Sequence, residues 1–151
     1  MEEVTIVKVE KGSETAVRLL EFVKNCSWLE AREHIAQNIE SWVFTGWEAM
    51  FAAVADGKIV GMASIMKTDY YPLPEVFPWV SSVFVEEEYR GRRISEKMIA
   101  FANSYARKIG FDRTYIPTEH VGLYEKYGYH FVREIINYGG GKDRLLTKEL
   151  K

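Results

Sequence analysis

The chain has 151 residues, a hydrophobic share of 47%, a charged share of 28% and a formal net charge of -2. That length supports one self-sufficient core, and the near-neutral charge excludes broad polyanion binding, which needs a face-wide excess of Lys and Arg. A single cysteine, Cys26, excludes an intrachain disulfide and a cysteine-based metal cluster. The acidic Met1-Glu2-Glu3 start has no apolar stretch of a secretory signal. The longest apolar run, Ala49 to Ala55, is far short of the ~18–20 residues of a membrane span. These features predict a cytoplasmic protein that contacts neither membrane nor nucleic acid.

Thr5 to Val9 alternates apolar and polar residues and predicts a first strand. Ser13 is placed to cap a helix whose apolar positions Ala16, Val17, Leu20 and Val23 recur at helical spacing. Ser27-Trp28-Leu29-Glu30 has the form of a capping box and predicts a second helix over 28–39. Its inward face would carry Leu29 or Trp28, then Ile35, Ile39 and Trp42. Strands over 48–55 and 58–67 are joined by Asp56-Gly57, a hairpin signal because both turn residues tolerate positive φ. Pro72, Pro74 and Pro78 make 69–78 irregular, an expected exposed loop able to line a substrate entrance.

A strand over 79–85 follows, then a basic turn and a helix with Ile94, Met98, Phe101, Ala102, Tyr105 and Ile109 on one face. Gly110 suits its C-cap. A short strand over 113–116 is predicted to stop at Pro117, and a brief helix over 119–127 to end at Gly128. Closing strands over 129–136 and 144–150 flank Gly139-Gly140-Gly141. The order implies an α/β chain with a mixed sheet, helices on its faces, and a parallel right-handed crossover over 79–116. Trp28, Trp42, Trp47 and Trp79 read as core more readily than as an aromatic cage.

The chemistry concentrates at Val80 to Ile99, where an apolar strand meets Tyr89-Arg90-Gly91-Arg92-Arg93 and a helix opening at Ile94-Ser95. A turn at a helix N-terminus aims backbone N–H groups at one spot, which suits a phosphate. Arg90, Arg92 and Arg93 add positive charge there, directly after the acidic run Glu86-Glu87-Glu88. The plain alternative is a solvated loop balancing those glutamates. A nucleoside-triphosphate site is disfavoured, because the turn lacks the Gly-Lys-Ser/Thr ending that holds phosphates and Mg²⁺. His34, His120 and His130 are too scattered for a metal site.

Two segments carry a resemblance: Phe84-Val85 through Tyr89-Arg90-Gly91-Arg92-Arg93-Ile94-Ser95, and Leu123-Tyr124-Glu125-Lys126-Tyr127-Gly128-Tyr129. Both, in this order, resemble the GNAT acyltransferase superfamily, whose members move an acetyl group from acetyl-CoA to an amine. The resemblance covers nearly the whole chain and implies one domain over 1–151. The implied fold is a largely antiparallel mixed sheet with a central, splayed parallel strand pair and helices on both faces. It implies acetyl-CoA as donor, no metal, and cofactor contacts from Val83, Phe84, Val85, Arg90, Gly91, Arg92, Arg93, Ile94 and Ser95. The strand before the loop would bond the pantetheine arm through its main chain, with a bulge near Ser81 or Ser82.

Where the family usually has Gly this chain has Arg93, and Ser95 stands where Gly or Ala is usual. A backbone donor survives such a change if φ stays negative and the side chain points outward. Tyr124 matches the family tyrosine that protonates the departing CoA thiolate, a role a phenol protonated at pH 7 can fill. Tyr70 and Tyr71 are the candidate contacts to a small-molecule or peptide amine acceptor. The general base is open among His120, Glu119, Asp69, Glu75 and water. The oligomeric state is open too, a homodimer included. The rival reading is a non-catalytic acyl-CoA-binding regulatory or interaction module.

Overall fold

A computed structural model of the chain describes residues 3–150. The strands are β1 (Val4–Val9), β2 (Ala49–Ala55), β3 (Lys58–Met66), β4 (Trp79–Val85), β5 (Arg113–Thr118), β6 (His130–Ile136) and β7 (Lys142–Glu149). The helices are α1 (Glu14–Asn25), α2 (Arg32–Ser41) and α3 (Ile94–Ile109), with 3-10 turns at Glu87–Tyr89 and Tyr124–Tyr127. The strands form a seven-stranded sheet in the order β1-β2-β3-β4-β5-β7-β6. β4 and β5 run parallel, with Trp79 opposite Tyr115, and β1–β2, β5–β7 and β6–β7 are antiparallel. The mixed sheet and its parallel crossover are therefore as the sequence predicts. The chain divides into two compact units: one runs to residue 64 and resumes over 82–101, and the other takes 65–81 and everything from 102.

In the first unit, Ser13 caps α1 by accepting the Ala16 N–H at 3.1 Å, as expected. The buried face of α1 is Ala16, Leu19 and Val23, while Val17 points to solvent. The capping box at 27–30 does not form; residues 28–31 make a turn, and α2 begins only at Arg32 without a side-chain cap. Leu29 is left exposed, and Ile35, Ala36 and Ile39 carry the inward face instead. Asp56 (φ 52) and Gly57 (φ 74) make the tight β2–β3 hairpin. One core cluster joins Ala53, Ala55, Val60, Ala63, Val85, Tyr89, Ile94 and Met98. Gly61 sits inside it because a Cβ there would lie 3.0 Å from the Phe84 carbonyl oxygen and 3.2 Å from Met98 Cε.

In the second unit, Trp79 packs with Val76, Ile135 and Leu145, flanked by Tyr71, Leu73 and Tyr115. The 69–78 loop is not wholly exposed, since Val76 and Pro78 are buried and Tyr71 is half-buried. Pro117 does not end β5; it pairs with Leu145 of β7, and the strand runs on to Thr118. Parity explains why it is tolerated. Tyr115 gives its N–H to Pro78 O on the β4 side at 3.0 Å, and Pro117, two residues on, would direct its absent N–H to that same side. The predicted helix over 119–127 shrinks to the 3-10 turn Tyr124–Tyr127, closed by Gly128 in the left-handed region. The second-unit part of α3 buries Ala102, Asn103 and Ala106, and Ile109 is exposed.

Candidate active site

The first unit brings the end of β4 and the basic turn together. Glu86 donates its N–H to Val60 O of β3 at 2.8 Å. Strand alternation therefore turns the amides of Val83 and Val85 to the opposite edge of β4. Where a bulge is expected, near Ser81 or Ser82, Ser82 holds φ 54 within the strand. Arg90 folds back rather than reaching out, its Nε donating to Val85 O at 2.9 Å with the guanidinium over the Phe84 ring. Phe84 is in turn stacked by Trp28, with centroids 6.2 Å apart. Arg92 lies over the Tyr89 ring, and Arg93 reaches Glu96 at 3.4 Å. Arg90 and Arg92 thus shape the turn, while the Arg93 side chain stays exposed.

The condition of negative φ is not met at Arg93: its φ is 61, two residues after Gly91 at 81. An L-residue with a Cβ costs about 1–2 kcal/mol in this region, which glycine enters freely. The left-handed step before Ile94 thus keeps the backbone course that glycine would give, with an arginine in place. Arg93→Gly is expected to raise the melting temperature by about 2–4 °C. It is also expected to leave CoA affinity within threefold, because glycine adopts the same left-handed backbone and so keeps the turn's N–H donors in place. Thermal denaturation and calorimetry measure both, and a tenfold affinity loss would make the guanidinium a phosphate ligand in its own right.

In the second unit, Tyr124 opens the 3-10 turn, edge-on to Tyr127 with centroids 6.0 Å apart. Burial, then the neighbouring Tyr127, pushes its phenol up to about 12, so it stays protonated through neutral pH. Tyr129 is deeply buried and likewise pushed up to about 12 by burial, against the lowering effect of its bonds to Thr114 and Asn103. The three side chains form a buried network, with Thr114 Oγ1 donating to Asn103 Oδ1 at 2.6 Å and 2.7 Å from the Tyr129 hydroxyl. Raised phenol pKa values favour the fold while the phenols are neutral. The contribution of these phenols to stability is therefore expected to be constant below pH 10 and to be lost between about pH 10 and 12 as the unfolded chain ionises first. Urea unfolding across pH 8–12 checks this, and no drop above pH 10 contradicts it.

Tyr70 and Tyr71 have different settings. Tyr70 is exposed and edge-on to Tyr138, whereas Tyr71 stacks on Trp79 and donates its hydroxyl to Asp143 Oδ2 at 2.6 Å. Burial and then Asp143 hold the Tyr71 phenol well above the usual range. Asp69 accepts the Tyr70 N–H at 2.6 Å and a short bond from the Ser81 hydroxyl. Glu75 lies 4.0 Å from Arg133, and His120 donates its backbone N–H to Thr118 Oγ1 at 3.0 Å. Asp143 escaped sequence reading because its partner is a tyrosine far away along the chain. Among the described residues no group of His, Cys, Asp or Glu is arranged to hold a metal ion.

The profile of the acetyltransferase (GNAT) domain family matches residues 46–131, more than half of the chain. The chain belongs to the GNAT acetyltransferase family. Among solved structures, the GNAT chain is similar to aminoglycoside 6'-acetyltransferase type Ii, at 18% identity with 97% of each chain covered and a TM-score of 0.77. It is also similar to the aminoglycoside 6'-N-acetyltransferase of Enterococcus faecium, at 16% identity, 97% coverage of each chain and TM-score 0.74. A GNAT acetyltransferase of Elizabethkingia anophelis with acetyl-CoA bound has 19% identity, covers 97% of this chain and 98% of its own, and gives TM-score 0.64. These similarities show the GNAT fold. No curated protein matches the chain in sequence. Among the described residues no helix is long and apolar enough to cross a membrane.

Proposed function

We propose that this GNAT protein, acting as one domain over 1–151, transfers an acetyl group from acetyl-CoA to a primary amine without an acyl-enzyme stage. The observation that carries the reading is the β4 edge at Val83 and Val85, running into the left-handed turn at Gly91–Arg93 and the start of α3. That edge offers strand-like bonding to an amide-bearing arm, and the turn with the first helical residues offers N–H donors to a diphosphate. The residues assigned to this binding are Val83, Phe84, Val85 and Arg90 to Ser95. Acetyl-CoA supplies the acetyl group as an activated thioester. The Val85 amide polarises the carbonyl, and Tyr124 gives its proton to sulfur as the carbon–sulfur bond breaks. The proton lost by the amine restores the phenol through solvent, so the overall exchange balances.

The acceptor is assigned to the surface around Tyr70 and Tyr71, where Asp69 and Asp143 place carboxylates beside aromatic rings. That combination favours a cationic amine through charge and cation–π attraction. The structurally similar aminoglycoside acetyltransferases are consistent with such an acceptor. A thiol-release assay with acetyl-CoA against aminoglycosides, polyamines and peptides with free N-termini tests the proposal. The expected result is acceptor-dependent release of CoA, fastest with multiply charged amines. Calorimetric binding of CoA with no thiol release across that panel would instead favour a non-catalytic acyl-CoA-binding module.

A further inference from the structure

The segment that carries Tyr124 has almost no regular structure to hold it. Between β5 and β6 it contains only the 3-10 turn Tyr124–Tyr127. Beyond the backbone bonds from Gly128 N–H to Glu125 O and from Tyr129 N–H to Tyr124 O, it is held by basic side chains of β7. Arg144 Nη1 donates to His120 O at 2.8 Å, and its Nη2 donates to Glu125 Oε2 at 3.0 Å. The other oxygen of Glu125 accepts the Gly122 N–H at 3.0 Å, so one guanidinium and one carboxylate tie residues 120, 122 and 125 together. Four residues along the strand, Lys148 Nζ donates to Tyr127 O at 2.8 Å. Tyr124 lies between these two anchors.

The Arg144–Glu125 pair is better placed than an ordinary surface pair. Its side chains are 22% and 31% exposed, and the guanidinium is further fixed over the Phe131 ring at 5.0 Å. Arg144 makes two directed bonds to different residues, which a single point charge cannot reproduce. Glu125 is held ionised by hydrogen bonding and by Arg144, so the clamp is intact at neutral pH.

We infer that Arg144, with Glu125, is a positioning residue that fixes the Tyr124 phenol for proton donation. It acts through the 120–125 backbone and touches no reacting atom. The inference rests on the proposed acid role of Tyr124, and the test separates the two. Arg144→Met, Arg144→Lys and Glu125→Gln are made in the natural sequence and in Tyr124→Phe, and assayed with acetyl-CoA and the fastest amine of the panel. Amide hydrogen exchange over 121–125 is followed in parallel. Arg144→Met is expected to lower kcat about tenfold, leave KM for acetyl-CoA within twofold and speed exchange at 121–125. In the Tyr124→Phe background the same substitution is expected to change kcat less than twofold. Arg144→Lys should restore part of the loss, and Glu125→Gln, which retains an acceptor for Gly122, should show a smaller loss even if Arg144→Met does not fold.

Equal losses in both backgrounds would make Arg144 merely structural and overturn the inference. So would unchanged kcat in Arg144→Met and Glu125→Gln while Tyr124→Phe is impaired. Unimpaired Tyr124→Phe overturns the acid assignment itself, and the positioning role with it.

Discussion

Tyr124→Phe is expected to lower kcat by about 10²–10⁴-fold while KM for acetyl-CoA stays within threefold. The substitution removes one hydroxyl and keeps the ring, so the contact with Tyr127 and the local packing persist. Under the proposed acid role, what is lost is the donor to the sulfur as negative charge develops there. Burial holds this phenol near 12, so the natural enzyme keeps the donor loaded at every working pH. No descending limb assignable to Tyr124 is therefore expected in the kcat profile below about pH 11, and the ascending limb belongs to deprotonation of the amine. The solvent deuterium isotope effect on kcat should shrink in the variant, because proton transfer to sulfur no longer accompanies bond cleavage. Steady-state kinetics with both readouts decide the matter, and turnover within twofold of the natural enzyme would remove Tyr124 from the chemistry.

Much of the fold was legible because its signals are local. Ser13 as a cap, Asp56-Gly57 as a tight turn and the first strand each depend on signals within a few residues, and each appears as expected, although burial along β1 does not alternate strictly. The failures share a cause, which is tertiary context overriding a local pattern. The box at 27–30 has the right residue types, yet α2 starts at Arg32 and leaves Leu29 in solvent. Pro117 reads as a breaker, but its missing N–H falls on the one strand edge where no donor is needed to pair with β7. The helix expected over 119–127 survives only as the turn Tyr124–Tyr127, because long-range bonds from Arg144 to His120 and Glu125 hold the preceding residues as a loop. At the site, the basic turn and Tyr124 were visible as motifs. The backbone conformation of Arg93 and the carboxylate at Asp143 were not, because one is a dihedral angle and the other a contact remote in sequence.

Trp79→Ala is expected to cost roughly 3–5 kcal/mol of stability, a large fraction of what a domain of this size has. Trp79 is only 1% exposed and anchors the second-unit core with Val76, Ile135 and Leu145. Its ring stacks on Tyr71 with centroids 5.4 Å apart and planes 13° from parallel. Truncation would leave a cavity at the point where β4 meets β5, opposite Tyr115. Trp79→Phe should be far milder. The indole Nε1 is buried without a hydrogen-bond partner, so removing it recovers about 1–3 kcal/mol of desolvation against the volume lost. Urea unfolding should therefore rank Phe well above Ala in midpoint at unchanged m-value. In kinetics, Trp79→Phe is expected to raise KM for the amine more than it lowers kcat, because Tyr71 keeps Asp143 but loses part of its stacking surface. A Trp79→Ala protein within 1 kcal/mol of the natural chain would contradict this account of the core, and an unchanged amine KM in Trp79→Phe would detach Tyr71 from the acceptor.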